Sequence, residues 1–360
     1  MSEARIDSLS NESNTGGPTL SGITTFSGTN YFVPPVGSTA QRPQNPQKGA
    51  IRFNTDSKHL EYFKGNTIGW VDIEAIEAAP LGARGIFAGG NPNNTLIDYF
   101  TVATTGNVKD FGDLTTQRDV PAGAANLTRG IIAGGYLAPS GTITKIEYVT
   151  ISTLSDSINF GDLSTARRNR DGTADHTRAV MMSGFPTTSQ IDYITITSEG
   201  DSIDFGDTTQ SRYNPGCVSD TTRAVACGGD NPSSNICDYI TIQSTGDAKD
   251  FGDLTAASLA SCAHGSSTRG IIGLASNVIN YITIASTGHA GDFGDCSNAG
   301  INKNVTGSAT RCILAGGYSP SSVNTMEYVE IPTLGNAIDF GDMQVARSGG
   351  AAFSNSGGGL

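Results

Sequence analysis

In 360 residues the chain has one tryptophan and four histidines, and only 16% of its side chains are charged. Basic residues are outnumbered 22 to 34, a net charge of −12, and this argues against nucleic acid as a partner, because phosphate-backbone binding rests on Lys and Arg. No apolar run approaches the roughly 20 residues of a bilayer-spanning helix, so no membrane insertion is expected, and the low charge content argues against a coiled coil. The opening MSEARIDSLSNESN lacks a basic segment followed by an apolar stretch, so no secretory signal is read and cytoplasmic synthesis is expected. None of the six cysteines forms a CxxC pair, which removes the usual zinc-knuckle and redox motifs; the expectation is free thiols acting as small buried apolar groups. HExxH, nucleophile-elbow and calcium-loop patterns are also missing. The chain is therefore expected to be no enzyme, with no catalytic residue, metal site or cofactor.

Glycine is what the chain has in excess: 46 residues, about 13%, against an average near 7%. The excess follows a repeat. The triplet FGD recurs with its Phe at Phe111, Phe160, Phe205, Phe251, Phe293 and Phe340, at intervals of 42 to 49 residues. Each Phe lies 12 residues after a Tyr in an IDYITI-like segment, at Tyr99, Tyr148, Tyr193, Tyr239, Tyr281 and Tyr328. An Arg opens segments such as TRGIIAGGY, at Arg84, Arg129, Arg178, Arg223, Arg269 and Arg311; each of the last five follows the preceding Phe by 18 residues.

Length varies only between Arg and Tyr, at 15, 19, 15, 16, 12 and 17 residues. Fixed spacings are held by ladder register and packing, whereas insertions collect in solvated loops. Each unit holds four segments of strand character, and Ile191 to Ile196 is apolar on both faces, as a strand covered on both sides requires. Four-stranded units of this length predict an all-β chain forming a six-bladed β-propeller over residues 82–360. The first unit lacks its first strand and the last supplies a surplus one near Ser348 to Ser356, so the C-terminal strand is expected to close the first blade and spare an open edge. The Gly-pair strands and repeat length resemble kelch-type propellers, without the usual kelch Trp.

An acid precedes the Tyr in five units (Asp98, Glu147, Asp192, Asp238, Glu327), with Asn280 the exception. The repeated Arg is therefore expected to pair with that carboxylate. The Asp of FGD, as in Asp113, is expected to accept backbone N–H bonds at a turn, and its Phe to pack between blades. The variable loops are the candidate contact surface: Asn91, Asn93, Tyr136, Phe185, Asp230, Asn231 and Tyr318 combine rings with amides and a carboxylate, a mixture suited to stacking on sugars and bonding their hydroxyls.

Residues 1–30 read as an extended arm and 31–78 as a small β module, with a three-stranded meander at 50–54, 60–64 and 69–73 around Phe53, Tyr62, Phe63 and Trp70. So small a core is marginal alone. The string TAQRPQNPQKGAIRFNTDSKHLEYFKGNTIGWVDI resembles a module of tail-fibre and other virion structural proteins of tailed phages; the matching residues include Arg42, Pro43, Pro46, Gly49, Arg52, Phe53, Asn54, Thr55, Leu60, Glu61, Gly65 and Trp70. In marine cyanophages such a module precedes DY.TI.STG.A.DFGDL repeats, so the resemblance covers nearly the whole chain. It implies a virion component made in the host cytoplasm and located in a tail or other surface appendage. Its module would anchor to other virion proteins and assemble a homo-oligomer, a trimer favoured, while the propeller binds a host surface glycan or protein. The alternative is a capsid, neck or tail decoration protein whose propeller contacts other virion proteins.

Overall fold

Apart from a 3-10 turn at Thr39–Gln41, the regular structure of the described residues is β-strand, as the period-2 patterning and glycine punctuation require. The computed structural model describes residues 33–73, 83–169, 171–259 and 262–357, and the expected arm at 1–30 lies outside them. The chain divides into two units, Met1–Ile76 and Glu77–Leu360.

The first unit holds one four-stranded sheet. Ile51–Asn54, His59–Phe63 and Trp70–Ile73 form the expected antiparallel meander, and Val36–Gly37 adds a parallel strand against Ile51–Asn54. That strand is too short to carry a readable alternation. The expectation of a single aromatic core is corrected: direct pairing puts Phe53 and Tyr62 on one face and Phe63 and Trp70 on the other. Phe63 is buried against Trp70, ring centres 5.5 Å apart.

The second unit contains six four-stranded antiparallel sheets. Sheet I joins the C-terminal strand Ala351–Ser354 to Arg84–Ala88, Asn94–Thr101 and Lys109–Arg118. Sheets III to VI each use four consecutive strands, starting with Asp171–Ala174, Gly216–Ser219, Cys262–Gly265 and Asn304–Gly307; sheet II starts with Ala122–Ala125 and Arg129–Ala133 and continues, after a short separate pair at Tyr136–Leu137 and Gly141–Thr142, with Lys145–Thr150 and Ile158–Asp162. Each first strand lies against the first strands of the sheets before and after it, with sheet VI against sheet I. The approach is backbone to backbone: a Cβ added to Gly123 would come 2.8 Å from the Ala352 backbone, and one on Gly172 2.8 Å from the Gly123 carbonyl oxygen.

The apolar core fills the spaces between consecutive sheets. Ile86, Ile97, Phe111 and Leu114 of sheet I pack with Ile132, Val149 and Ile151 of sheet II. All six FGD phenylalanines are buried. The glycine after each explains why no other residue repeats there: Gly112 has φ 150°, and a Cβ on it would stand 2.6 Å from the Ser155 carbonyl oxygen of the next sheet. The six cysteines are free thiols, five of them buried.

Candidate functional site

Two repeated arginines account for the scaffold, and only one was visible as a repeat. Arg84, Arg129, Arg178, Arg223, Arg269 and Arg311 each stack on the Tyr of their own sheet, with Cζ 4.1 to 4.8 Å from the ring centre. Each also donates an Nη1–H to a backbone carbonyl of the following sheet: Arg84 to Ile151, Arg129 to Ile196, Arg178 to Ile242, Arg223 to Ile284, Arg269 to Ile331 and Arg311 to Val102. The expected pairing with the acid before Tyr is therefore corrected. The stack holds the planar cation over the ring's negative face and aims its fork at the next sheet.

The acid belongs to another arginine, seven residues after the FGD phenylalanine. Arg118, Arg212 and Arg347 are fully buried, and each reaches into the following sheet to meet Glu147, Asp238 and Asp98 at 2.9, 2.6 and 2.6 Å. Arg212 also donates to the Ile236 and Ala226 carbonyls, and Arg347 to those of Leu96 and Phe87. Burial pushes the Asp98 and Asp238 carboxyls above their ordinary range, opposed by Arg347 and Arg212. In sheet IV the position is Ser258, whose Oγ accepts the Ala275 N–H, and in sheet V the acid is replaced by Asn280, whose Oδ1 accepts the Thr255 N–H. In sheet V the position is Gly300, and Glu327 of sheet VI is only half-buried, taking the Ser297 N–H. A fully buried charge without a partner is strongly unfavourable, so where the cation is missing the acid is either replaced, as at Asn280, or left half-buried with another hydrogen bond, as at Glu327.

The FGD aspartates are corrected too. Asp113, Asp162 and Asp207 accept hydroxyl bonds across the sheet from Thr95, Thr144 and Ser189. It is their own N–H groups that are capped, by Asp156, Asp201 and Asp247 in the turns of the following sheet.

First strands of all six sheets line a cavity of about 120 Å³. Asp171 faces it, accepting the Cys217 N–H at 2.7 Å, and burial pushes its carboxyl up to about 7. His264, bonded through Nε2 to the Ser308 carbonyl, is pushed down to about 4 by burial, and the Cys262 thiol up to about 12. Among the described residues, no three His, Cys, Asp or Glu side chains come together as a metal site.

At one end of the first strands Val120, Asn169, Asn214, Asn302 and Gly349 all have left-handed φ between 47° and 63°. Their backbones link in series: Val120 N–H to Gly349 O, Asn169 to Val120, Asn214 to Asn169 and Gly349 to Asn302. The residues just before them bridge to the bases of the variable loops, pairing Ser348 with Asn91, Asp119 with Tyr136, Arg168 with Phe185, Tyr213 with Asp230 and Ile301 with Tyr318. Five of the variable loops thus stand at the same end of the first strands.

The loop residues differ in what they offer. Asn91 donates to Asp119, just before the first strand of sheet II, Asn231 donates to Thr187 of the neighbouring loop, and Tyr213 donates to Asp230 at 2.8 Å. Asn93 is half-buried; Tyr318 is exposed. Tyr136 and Phe185 each turn one ring face to Arg168, whose Cζ stands 4.6 and 5.0 Å from their centres. Neither Arg168 nor Tyr213 was legible as a loop residue, because both precede a first strand rather than interrupting the Arg-to-Tyr stretch. No protein-family model and no curated protein matches the chain.

Proposed function

We propose that the second unit is a six-bladed β-propeller closed by its C-terminal strand, and that the chain is a non-enzymatic phage virion protein, a tail-fibre or adsorption component whose rim loops contact the host cell surface. The closed ring is supported by the series of first-strand contacts and by the Arg-to-carbonyl bonds, which run from each sheet to the next and from sheet VI to sheet I. The observation that carries the contact reading is the division of labour between repeated and unrepeated residues. Arg, Tyr, Phe and Gly recur where sheets are locked together, and the sequence departs from the repeat mainly in loops grouped on one rim. Weak contacts of this kind become firm attachment when many copies act at once.

The first unit suits an anchoring and oligomerisation role. Glu61 is fully buried and held by Arg42, Arg52 and Asn54, all among the residues that carry the phage-module resemblance. Arg42 holds the Glu61 carboxyl below its ordinary range. The other face of the sheet carries Val36, Ile51, Phe53, Leu60, Tyr62 and Val71, of which Val36 and Ile51 are more than half exposed. An apolar face of this kind calls for cover, and further copies of the chain or other virion proteins would supply it.

The test is competition. Recombinant chain is expected to slow adsorption of the parent particle to its host, and antibodies against it to label a tail appendage in electron micrographs. Label on capsid or neck with no effect on adsorption overturns the contact reading and favours a decoration protein.

A further inference from the structure

The rim is built alike around much of the second unit but is chemically uneven, and one arc of it holds an arginine fork, that of Arg168, for which the scaffold supplies no hydrogen-bond acceptor among the described residues. The backbone bridge to each loop base is made equally by Ser348, Asp119, Tyr213 and Ile301, so no side chain of a given type is needed there. In sheets II to IV, however, the position brings Arg168 between Tyr136 and Phe185, and Phe185 meets Tyr213 edge to face at 5.7 Å.

Arg168 differs from the scaffold arginines. Arg118, Arg212 and Arg347 each have a carboxylate, and the six arginines stacked on Tyr each have a carbonyl. For the Arg168 side chain no hydrogen bond or ion pair is found among the described residues, its Nε is buried without an acceptor, and the residue is half-buried. Two rings hold the guanidinium plane, so a ligand that engages the fork has little side-chain freedom left to freeze.

We propose that Tyr136, Arg168, Phe185 and Tyr213 form a subsite for a carboxylate-bearing saccharide, with the sugar acid's carboxylate taken by the fork of Arg168. This deepens the host-contact reading and rests on it. A neutral sugar laid over the guanidinium would strip water from a cation and return only weak bonds, whereas a carboxylate returns two charge-assisted ones. A doubly charged phosphate is disfavoured, because the site has one cation with Asp119 and Asp230 nearby. The exposed part of Phe185 and the Thr187–Asn231 pair beside it give the sugar an apolar contact and polar neighbours.

The test is titration of the full chain with oligogalacturonate and oligosialate, each compared with its methyl ester. The acid forms are expected to bind, and esterification or Arg168→Gln to weaken binding about tenfold or more. Arg168→Lys is expected to recover only part, since it keeps charge but loses the fork. Equal binding of acid and ester, or acid binding that survives Arg168→Gln, overturns the inference. The ester comparison uses the unmodified protein and so stands even where a variant misfolds. If no acidic saccharide binds and the chain still blocks adsorption, this inference falls and the contact reading stands. Acid-selective binding with no effect on adsorption supports the subsite and overturns the contact reading.

Discussion

Replacing Arg212 by Ser would leave the buried Asp238 carboxylate without its partner at 2.6 Å and would release the Ile236 and Ala226 carbonyls. Removing one member of a buried ion pair costs about 3 to 5 kcal/mol, roughly 10 °C of Tm in a unit of this size. The protein makes the corresponding change at the next interface, where the equivalent positions are Ser258 and Asn280. Arg212→Ser combined with Asp238→Asn copies those residues, and what remains is the lost carbonyl bonds, the vacated volume and a buried amide Nδ2 unpaired as that of Asn280 is, together about 2 to 3 kcal/mol. The double variant is therefore expected to be more stable than the single by about 1 kcal/mol or more in urea unfolding at pH 8. Burial already raises the Asp238 carboxyl with Arg212 present, and loss of the cation raises it further. The carboxyl is then neutral more readily as pH falls, so the single variant's deficit should shrink toward pH 5. A single variant within about 1 kcal/mol of the parent, or a double variant no better than the single, would refute the reasoning.

Four further outcomes are expected. Asp171 has a folded value raised to about 7, so it binds its proton more tightly when folded and lowers stability as pH rises from about 4 to 7; relative to the parent, Asp171→Asn should gain stability across that window by up to roughly 1.4 kcal/mol per pH unit. His264 is depressed to about 4, so its contribution is lost as pH falls from about 6.5 to 4, and His264→Gln should lose less stability than the parent over that range. Gly206 has φ 142°, and a Cβ there would lie 2.6 Å from Gly246 backbone atoms; Gly206→Ala should cost about 1 to 3 kcal/mol in urea unfolding, and a neutral result would show that the neighbouring turn yields. Deleting residues 348–360 removes the first strand of sheet I, exposing the edge of Arg84–Ala88 and part of the Phe353 core, and the truncated chain should lose cooperative unfolding or solubility.

The strand pattern of the second unit was legible because FGD, Tyr and Arg are each held by packing that admits few substitutes. The arginine seven residues after the FGD phenylalanine was harder to see. It stands at Arg118, Arg167, Arg212 and Arg347 but gives way to Ser258 and Gly300 in two units, so its repeat is incomplete, and only the Arg that opens the second strand recurs in every unit as a visible candidate partner for the acid. Spacing along one chain reveals that two residues recur, and it does not reveal which sheet each faces. Here both arginines act across the gap to the next sheet. The same limit hid Arg168 and Tyr213, which reach the loops only through the neighbouring sheet, and the strand Val36–Gly37, whose partner is parallel.

If unrepeated rim residues recognise the host, as proposed, while repeated residues hold the scaffold, a single pair of measurements on one variant separates the two roles. Binding of recombinant chain to host cells and the urea midpoint are compared for the parent and for Tyr136→Ala combined with Arg168→Gln and Phe185→Ala. Binding lost with the midpoint little changed is the predicted result; binding retained in the folded variant contradicts it.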